Sequence, residues 1–268
     1  MADHMKNGVV RINSGSMDYI RFGSGSRALV MLPGLGDGLR TVKGTAMFMA
    51  AGYRAFSRDF TVYAFSRINE LTEGYTTRHM ARDLSDAMEQ LGIEKADIFG
   101  VSMGGMIAQH FAADYPEKVN KLVLTVTAAR PNPILRESVE EWIALAQRGD
   151  HAAFMDSNLR RIYSDGYYQK NKWLVPAMGR LTKPESYDRF FIQAGACLTH
   201  DAFDRLQEIS APTFVIGGGK DLTLGAEGSK EIAERIPGAL LHIYDQWGHG
   251  LYEEAKDFNN LVMGFLKR

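Results

Sequence analysis

The stretch Gly100-Val101-Ser102-Met103-Gly104 decides the fold, because it joins an apolar run to a segment of helical character. The run Ala96 to Phe99 before it has the composition of a buried strand, and residues 106–113 after it resemble a helix. A serine on a sharp strand-to-helix turn needs small residues two positions to either side, which the two glycines provide. The turn exposes the serine hydroxyl and leaves the next amide at a helix N-terminus, where an anion is favoured. The stretch therefore predicts a nucleophile elbow at Ser102.

Composition and charge are those of an ordinary globular protein. Hydrophobic residues make up 45% and charged residues 24% of the 268 residues, which argues against disorder. The formal net charge of -1 gives no general electrostatic reason to bind nucleic acid or an anionic membrane, so neither is expected as a partner. No apolar stretch approaches the roughly 20 residues of a membrane span. The length suits one α/β domain that carries an insertion.

The cysteine content and the first residues bear on the compartment. Cys197 is the one cysteine, so no internal disulfide can form, which fits a reducing environment. The first seven residues lack the hydrophobic segment of a secretory signal. We therefore expect a cytoplasmic protein.

Short β-rich runs alternate with amphipathic segments along most of the chain, a pattern typical of a mostly parallel sheet covered by helices. The predicted strands are Val9 to Asn13, Tyr19 to Phe22, Ala28 to Leu32, Thr61 to Phe65, Ala96 to Phe99, Lys121 to Val126, Thr213 to Ile216 and Leu240 to Tyr244. The predicted helices include Thr77 to Leu91, Gly225 to Ile236 and Leu251 to Leu266.

The alternation stops between residues 131 and 205, where the sequence is helical and rich in aromatic residues. This region predicts a helical cap, residues 131–205, inserted between two strands of a core domain that consists of residues 1–130 and 206–268. Ligand pockets favour such junctions and are mostly apolar. For any one aromatic residue of the cap, packing against the core is the more common role, but several should line a pocket. The candidates are Trp142, Tyr163, Trp173 and Phe191.

Two further residues form a constellation with Ser102. Asp221 follows a predicted strand and a glycine turn, and His249 lies in a glycine-flanked loop after the last predicted strand. The chain order serine, aspartate, histidine is one of those in which serine-hydrolase triads occur. Asp245 and Asp204 are rival acids, but Asp221 is preferred because a full strand and a glycine turn precede it. The three residues are predicted to be catalytic.

The stretch Leu32-Pro33-Gly34-Leu35-Gly36-Asp37-Gly38 directly follows the third predicted strand. Its alternate glycines let the backbone approach a ligand closely, so that the amides of Leu35 and Met103 could together bind an oxyanion. A dinucleotide-binding turn is the competing interpretation, but position 39 is leucine where that motif has a third glycine. No metal-binding pattern accompanies the histidines.

These residues resemble the α/β-hydrolase fold superfamily, in its capped esterase, lactonase and cofactor-free perhydrolase branch. The likeness covers nearly the whole chain and rests on four stretches: Leu32 to Gly36, Gly100 to Ala108, Pro212 to Asp221, and Gly248-His249. The chain departs from the family at Pro33, where His is frequent, and at residues 65–69, where an Asp-Arg-Gly loop is frequent. The resemblance implies a mostly parallel eight-stranded sheet flanked by helices, with an inserted helical cap.

The resemblance and the residues together imply acyl transfer to Ser102, with His249 as base and Asp221 orienting the imidazole. The expected activity is hydrolysis of small carboxylic esters, or of lactones or thioesters, without a metal or organic cofactor. Perhydrolysis and carbon–carbon bond hydrolysis are sibling chemistries on the same triad. A ligand receptor or signalling protein on this fold is the alternative of another class, since fold alone does not fix function. The expected partner is a small ester-like molecule, and the oligomeric state is open.

Overall fold

The computed structural model describes residues 5–268, and they fold around one eight-stranded sheet. Its spatial order is β1-β2-β4-β3-β5-β6-β7-β8. The pairs β1/β2 and β2/β4 are antiparallel, and the remaining pairs are parallel. The strands are β1 (Lys6–Ile12), β2 (Gly15–Phe22), β3 (Arg27–Leu32), β4 (Phe60–Ile68), β5 (Ala96–Val101), β6 (Val119–Thr125), β7 (Thr213–Gly218) and β8 (Leu240–Tyr244). The predicted fold class and all eight predicted strands are confirmed.

Burial along the sheet follows strand position. Every residue of β5 and of β7, each of which has a strand on both sides, is buried, as expected where helices cover both faces of a parallel sheet. The edge strand β8 has no buried residue, because one of its sides and much of its faces meet solvent. The carboxyl ends of β3, β5 and β7 lie at one edge of the sheet, where the predicted site residues follow them.

Helices cover both faces of the sheet. Within residues 5–268 the α-helices are α1 (Ala46–Gly52), α2 (Thr77–Gln90), α3 (Met103–Asp114), α4 (Pro133–Gln147), α5 (His151–Ile162), α6 (Asp165–Asn171), α7 (Val175–Leu181), α8 (Asp188–Leu198), α9 (Glu227–Arg235), α10 (Leu251–Glu254) and α11 (Phe258–Leu266). One core cluster packs α2 and α3 against the sheet, and a second packs α11 against the opposite face. Helix α3, which starts at the elbow, is buried along almost its whole length.

Five helices, α4 to α8, fill the chain between β6 and β7, the region predicted to be a cap. We call residues 133–198 the helical insertion. Local capping explains several of its boundaries, since Asn132, Asp150 and Ser164 each accept a hydrogen bond from a backbone N–H in the first turn of the following helix. None of the helices in residues 5–268 is long and apolar enough to cross a membrane.

The predicted helix from Leu251 to Leu266 is wrong in one respect, because it is two helices. Ala255 adopts an extended backbone and ends α10, and α11 begins at Phe258. Leu251, Ala255 and Phe258 all pack in the same core cluster, so the apolar spacing runs through the break and does not reveal it. Residues 1–4, part of the segment in which no secretory signal is expected, lie outside the described residues.

Candidate active site

Ser102 lies on the turn between β5 and α3. Its backbone has a conformation that residues other than glycine rarely adopt. Its φ is 54° and its ψ is -122°. Glycine is required on both sides, because a Cβ atom at Gly100 would lie 2.6 Å from the Gly104 carbonyl oxygen, and one at Gly104 would collide with the backbone of Leu32. The sequence therefore folds into the sharp turn that the elbow pattern predicts.

Hydrogen bonds from the end of β6 hold this turn. The Ser102 N–H donates to the Thr125 carbonyl at 2.9 Å, and the Ser102 carbonyl accepts from the Thr127 hydroxyl at 2.8 Å. Between them, Val126 is the other described non-glycine residue with a positive φ, at 42°. Strained backbone persists where its surroundings fix it, and two adjacent strand ends fix it here.

Asp221 lies just beyond β7, in a loop that fixes its carboxylate. One oxygen accepts the backbone N–H groups of Thr223 and Leu224 at 2.7 and 2.9 Å. The other oxygen lies 2.8 Å from Nδ1 of His249. The side chain is almost completely buried, so the carboxylate is held in one orientation toward the imidazole.

His249 bridges the acid and the serine. Its Nε2 lies 3.0 Å from the Ser102 hydroxyl, a residue 147 positions earlier in the chain. An ionised carboxylate only accepts hydrogen bonds, so Nδ1 donates to Asp221 and Nε2 is left to accept from the serine. The insertion supports this loop, because the Gly250 N–H donates to the carbonyl of Ile162 at the end of α5. The three residues predicted as a triad thus form one continuous hydrogen-bonded chain.

The two rival acids lie elsewhere. Asp245 is exposed, beside Gly219 at the start of the loop that leads to Asp221. Asp204 is paired with Arg235 at 3.1 Å. Neither contacts His249, whose Nδ1 has Asp221 as its partner.

Leu35 and Met103, the predicted oxyanion donors, each belong to a segment that adjoins the serine. Met103 is the first residue of α3, and Leu35 opens a short 3₁₀ turn, so neither amide has a partner earlier in its own helix. Gly34, which directly precedes this 3₁₀ turn, approaches the serine closely, since a Cβ atom at Gly34 would lie 3.3 Å from the Ser102 Cβ. Both predicted donor residues thus begin a helical turn in a segment that adjoins Ser102.

A cavity of about 870 Å³ opens onto Ser102 and His249. This volume falls in the range of small-molecule sites. Aromatic and aliphatic side chains of the insertion form one wall, and they are Trp142, Phe154, Ile162 and Phe190. The opposite wall is formed by residues outside the insertion, and they include Arg40, Phe48, Met49, Tyr53, Tyr252, Glu253 and Lys256.

Of the four aromatic residues predicted for the pocket, Trp142 lines the cavity and the other three do not. Trp173 is 72% exposed on the outside of the insertion. Tyr163 packs on Gly250 instead, and its hydroxyl donates to Glu253 at 2.7 Å. Phe191 packs against Tyr187, because successive residues of α8 face different directions and the neighbouring Phe190 faces the cavity.

Sequence reasoning missed part of the cavity wall. Glu253 is the clearest case, because it lies four residues after His249 and in the cavity wall. Desolvation raises the pKa of its carboxyl, and the neighbouring Glu254 adds to the shift. The adjacent Tyr252 hydroxyl also has a raised pKa, chiefly because of burial. The only signal in the sequence was the proximity of these residues to His249. Among the described residues, no group of three or more His, Cys, Asp or Glu is placed to hold a metal ion.

Known proteins match this arrangement over nearly the whole chain. The family model of the α/β-hydrolase fold matches residues 27–256. A relative from Caulobacter sp. (strain K31), provisionally named as the carbamate hydrolase RutD, is 26% identical over 91% of this chain and 91% of its own. A 2-hydroxy-6-oxononadienedioate/2-hydroxy-6-oxononatrienedioate hydrolase from Burkholderia vietnamiensis is 30% identical over 93% and 90% of the two chains.

Solved structures agree. The crystal structure of MGS-M2, an α/β-hydrolase enzyme from a Medee basin deep-sea metagenome library, superposes with a TM-score of 0.84. Its sequence is 25% identical, and the match covers 97% of this chain and 98% of that one. The sheet order, the elbow and these matches lead to one assignment. The chain belongs to the α/β-hydrolase fold family.

Proposed function

We propose that this protein is a serine hydrolase that cleaves small carboxylic esters through an acyl-enzyme on Ser102. The observation that carries the proposal is the hydrogen-bonded chain from the Ser102 hydroxyl through His249 to Asp221, at 3.0 and 2.8 Å, on the floor of a cavity. A serine hydroxyl is a weak nucleophile at neutral pH, and an adjacent imidazole within hydrogen-bond reach removes that limitation.

In the first half-reaction the Ser102 oxygen attacks the ester carbonyl carbon while its proton passes to Nε2 of His249. The carbonyl electrons move to its oxygen, and the amides of Leu35 and Met103 stabilise that oxyanion. When the intermediate collapses, the bond to the alcohol breaks and His249 returns the proton to the leaving oxygen. Asp221 stabilises the imidazolium in between and keeps the imidazole in the required tautomer.

In the second half-reaction a water molecule replaces the alcohol. His249 takes a proton from the water, whose oxygen attacks the acyl carbon, and the acid leaves as Ser102 regains its proton. The helical insertion acts in this proposal as a cap whose Trp142, Phe154 and Phe190 contact the acyl or alcohol part of the substrate.

The proposed compartment is the cytoplasm. Its support is that the one cysteine, Cys197, cannot form an internal disulfide.

Carbon–carbon bond hydrolysis is the second candidate. Its support is the relative at 30% identity, whose name gives a hydroxy-oxo-dienedioate or -trienedioate as the substrate and not an ester. The same three residues serve either reaction, so the difference lies in which substrate the cavity accepts.

A substrate panel tests the proposal. We expect p-nitrophenyl esters of two- to eight-carbon acids, or a lactone or thioester, to be hydrolysed with a higher kcat/KM than 2-hydroxy-6-oxononadienedioate. Ser102→Ala should lose at least about 10³-fold in kcat. Faster turnover of the oxo-acid would favour the second candidate. If the wild-type protein and Ser102→Ala hydrolyse every substrate of the panel at the same rate, the protein is not a hydrolase of this kind.

A further inference from the structure

A buried charge cluster joins the helical insertion to the loop after β3. We call residues 33–38 the β3 loop. The Asp37 side chain is fully buried, and its Oδ2 accepts hydrogen bonds from Arg189 Nη2 at 2.6 Å and Gln193 Nε2 at 3.0 Å, both on α8. The same oxygen accepts the backbone N–H of Arg67 at 3.2 Å. One carboxylate oxygen therefore connects the β3 loop, the end of β4 and the insertion.

Arg189 makes more bonds to this region than the ion pair alone. Its Nε donates to the Asp37 carbonyl at 3.0 Å, and its Nη groups donate to the carbonyls of Arg67 and Ile68. The planar guanidinium satisfies these acceptors at once, which a lysine ammonium could not do in the same geometry. The side chain is 19% exposed, so the contacts are mostly shielded from solvent.

Arg67 holds the other end of the β3 loop. Its Nη2 donates to the Pro33 carbonyl at 2.6 Å. Burial lowers the pKa of its guanidinium, and the nearby Asp37 opposes that shift. Within residues 5–268, Arg67 Nε and Nη1 and Asp37 Oδ1 have no hydrogen-bond partner. A buried ion pair is weak evidence for stability, so the question is what this one positions.

The β3 loop is pressed between Ser102 and α8. On one side, Gly34 approaches the serine so closely that a Cβ atom would lie 3.3 Å from the Ser102 Cβ. On the other side, a Cβ atom at Gly38 would lie 2.8 Å from the Phe190 Cα. Leu35 lies between these two contacts. Because the loop is closely packed at both glycines, we expect a displacement of α8 to move the β3 loop, and the Leu35 amide with it, relative to Ser102.

We propose that Arg189 is a positioning residue for the oxyanion site: through Asp37 it fixes the β3 loop, and so the Leu35 amide, relative to Ser102. The inference rests on the proposed acyl transfer at Ser102. If Arg189 has this role, the packing of the insertion against the core affects kcat as well as substrate binding.

Arg189→Met tests the inference, with Arg180→Met as the matched control on an exposed position of α7. Removing one oxyanion donor outright costs about 10²–10³-fold in kcat, so misplacing one should cost about ten- to a hundredfold. We expect that loss in Arg189→Met with KM changed less than about threefold, measured well below the melting temperature. Arg180→Met should match the wild type. A kcat within twofold of wild type in folded Arg189→Met would overturn the inference.

A double-mutant cycle shows whether the effect passes through Asp37. If Arg189 acts through that carboxylate, Asp37→Asn with Arg189→Met should lose no more kcat than the more damaged single variant. Losses that multiply would mean that Arg189 acts on turnover by another route and would contradict the inference. Arg189→Lys should recover only part of kcat, because one ammonium cannot reach all the acceptors.

Hydrogen exchange of the peptide that contains residues 33–40 gives a readout without turnover. Exchange should be faster in Arg189→Met than in the wild type or Arg180→Met, while the peptide with Asp221 stays unchanged. Unchanged exchange in residues 33–40 of an active protein would overturn the positioning role. If the wild type turns over no substrate and exchange nevertheless responds, the proposed function fails while the structural coupling stands.

Discussion

At the scale of single residues, the site depends on one strained position. Ser102 has a backbone conformation that costs of order 1–3 kcal/mol and that persists only because its neighbours fix it. The two glycines that flank the turn and the β6 end supply that restraint. The benefit is geometric, because the hydroxyl points away from the sheet toward His249.

The choice of acid can be tested by paired variants. Replacing the acid of another serine triad by its amide lowers kcat about 10⁴-fold, because the imidazole is held in the wrong tautomer. We therefore expect Asp221→Asn to lose several orders of magnitude in kcat on the preferred ester. Asp245→Asn is the matched control, and it should stay within about twofold of the wild type. The reverse ranking would mean that the acid is misassigned.

At the scale of elements, the sequence predicted the sheet better than it predicted the insertion. Strands such as β5 and β7 are buried on every residue, so their mostly apolar composition marks them plainly. The break between α10 and α11 was not predictable from spacing, because the apolar period continues across it. The rotation of α8 about its axis determines which of its aromatic side chains faces the cavity. No local sequence pattern indicates that rotation.

The candidate site divides in the same way. Ser102, Asp221 and His249 could be found because each follows a strand and stands among glycines. Glu253 could not be found because it belongs to no short motif. The pairing of Asp37 with Arg189 could not either, because Asp37 lies in the glycine-rich stretch after β3 while its partner is 152 positions away in the chain. Contacts between the insertion and the core appear only once both are folded.

The cavity wall gives a prediction at this scale. Trp142 lines the cavity, whereas Trp173 is exposed outside it. Trp142→Phe keeps an aromatic ring but enlarges the cavity, and one methylene of fit is worth about 1–3 kcal/mol, or roughly five- to 150-fold in selectivity. We expect the ratio of kcat/KM between long and short acyl esters to change at least about threefold. Trp173→Phe should leave that ratio unchanged. Equal behaviour of the two variants would exclude Trp142 from substrate contact.

At the scale of the whole molecule, two buried histidines link stability to pH. His110 on α3 and His200 beyond α8 lie with ring centroids 5.0 Å apart, and the His200 Nδ1 is 2.9 Å from the Thr77 hydroxyl. Burial lowers the pKa of His110 to about 4 and lowers that of His200 well below its usual value. Charges on Arg78 and Arg205 act in the same direction on His110, and Asp114 and Asp201 oppose them.

Because both histidines stay neutral in the folded protein, their contribution to stability is complete above about pH 6.5 and is lost as the pH falls toward 4. We expect the free energy of unfolding to fall by up to about 1.4 kcal/mol per pH unit for each histidine in this window. Denaturant unfolding at several pH values measures this slope.

The histidine effect is isolated by difference. Burial raises the pKa of Asp83 to about 6, and that group contributes the opposite slope in part of the same range. The slope of wild type should therefore be compared with that of His110→Gln, which should be shallower. Gln90→Asn, at an exposed position of α2, adds and removes no titratable group and should leave the slope unchanged. Equal slopes in all three proteins would remove His110 from this account.

The most direct test of Ser102 as an activated nucleophile is to map a covalent adduct. A fluorophosphonate reacts with a serine that has an activated hydroxyl, and peptide mass spectrometry identifies the modified residue. We expect one adduct per chain, on Ser102, no adduct in Ser102→Ala, and much slower labelling in His249→Ala. An adduct on another serine with Ser102 unmodified, or equal labelling of Ser102→Ala, would contradict the account.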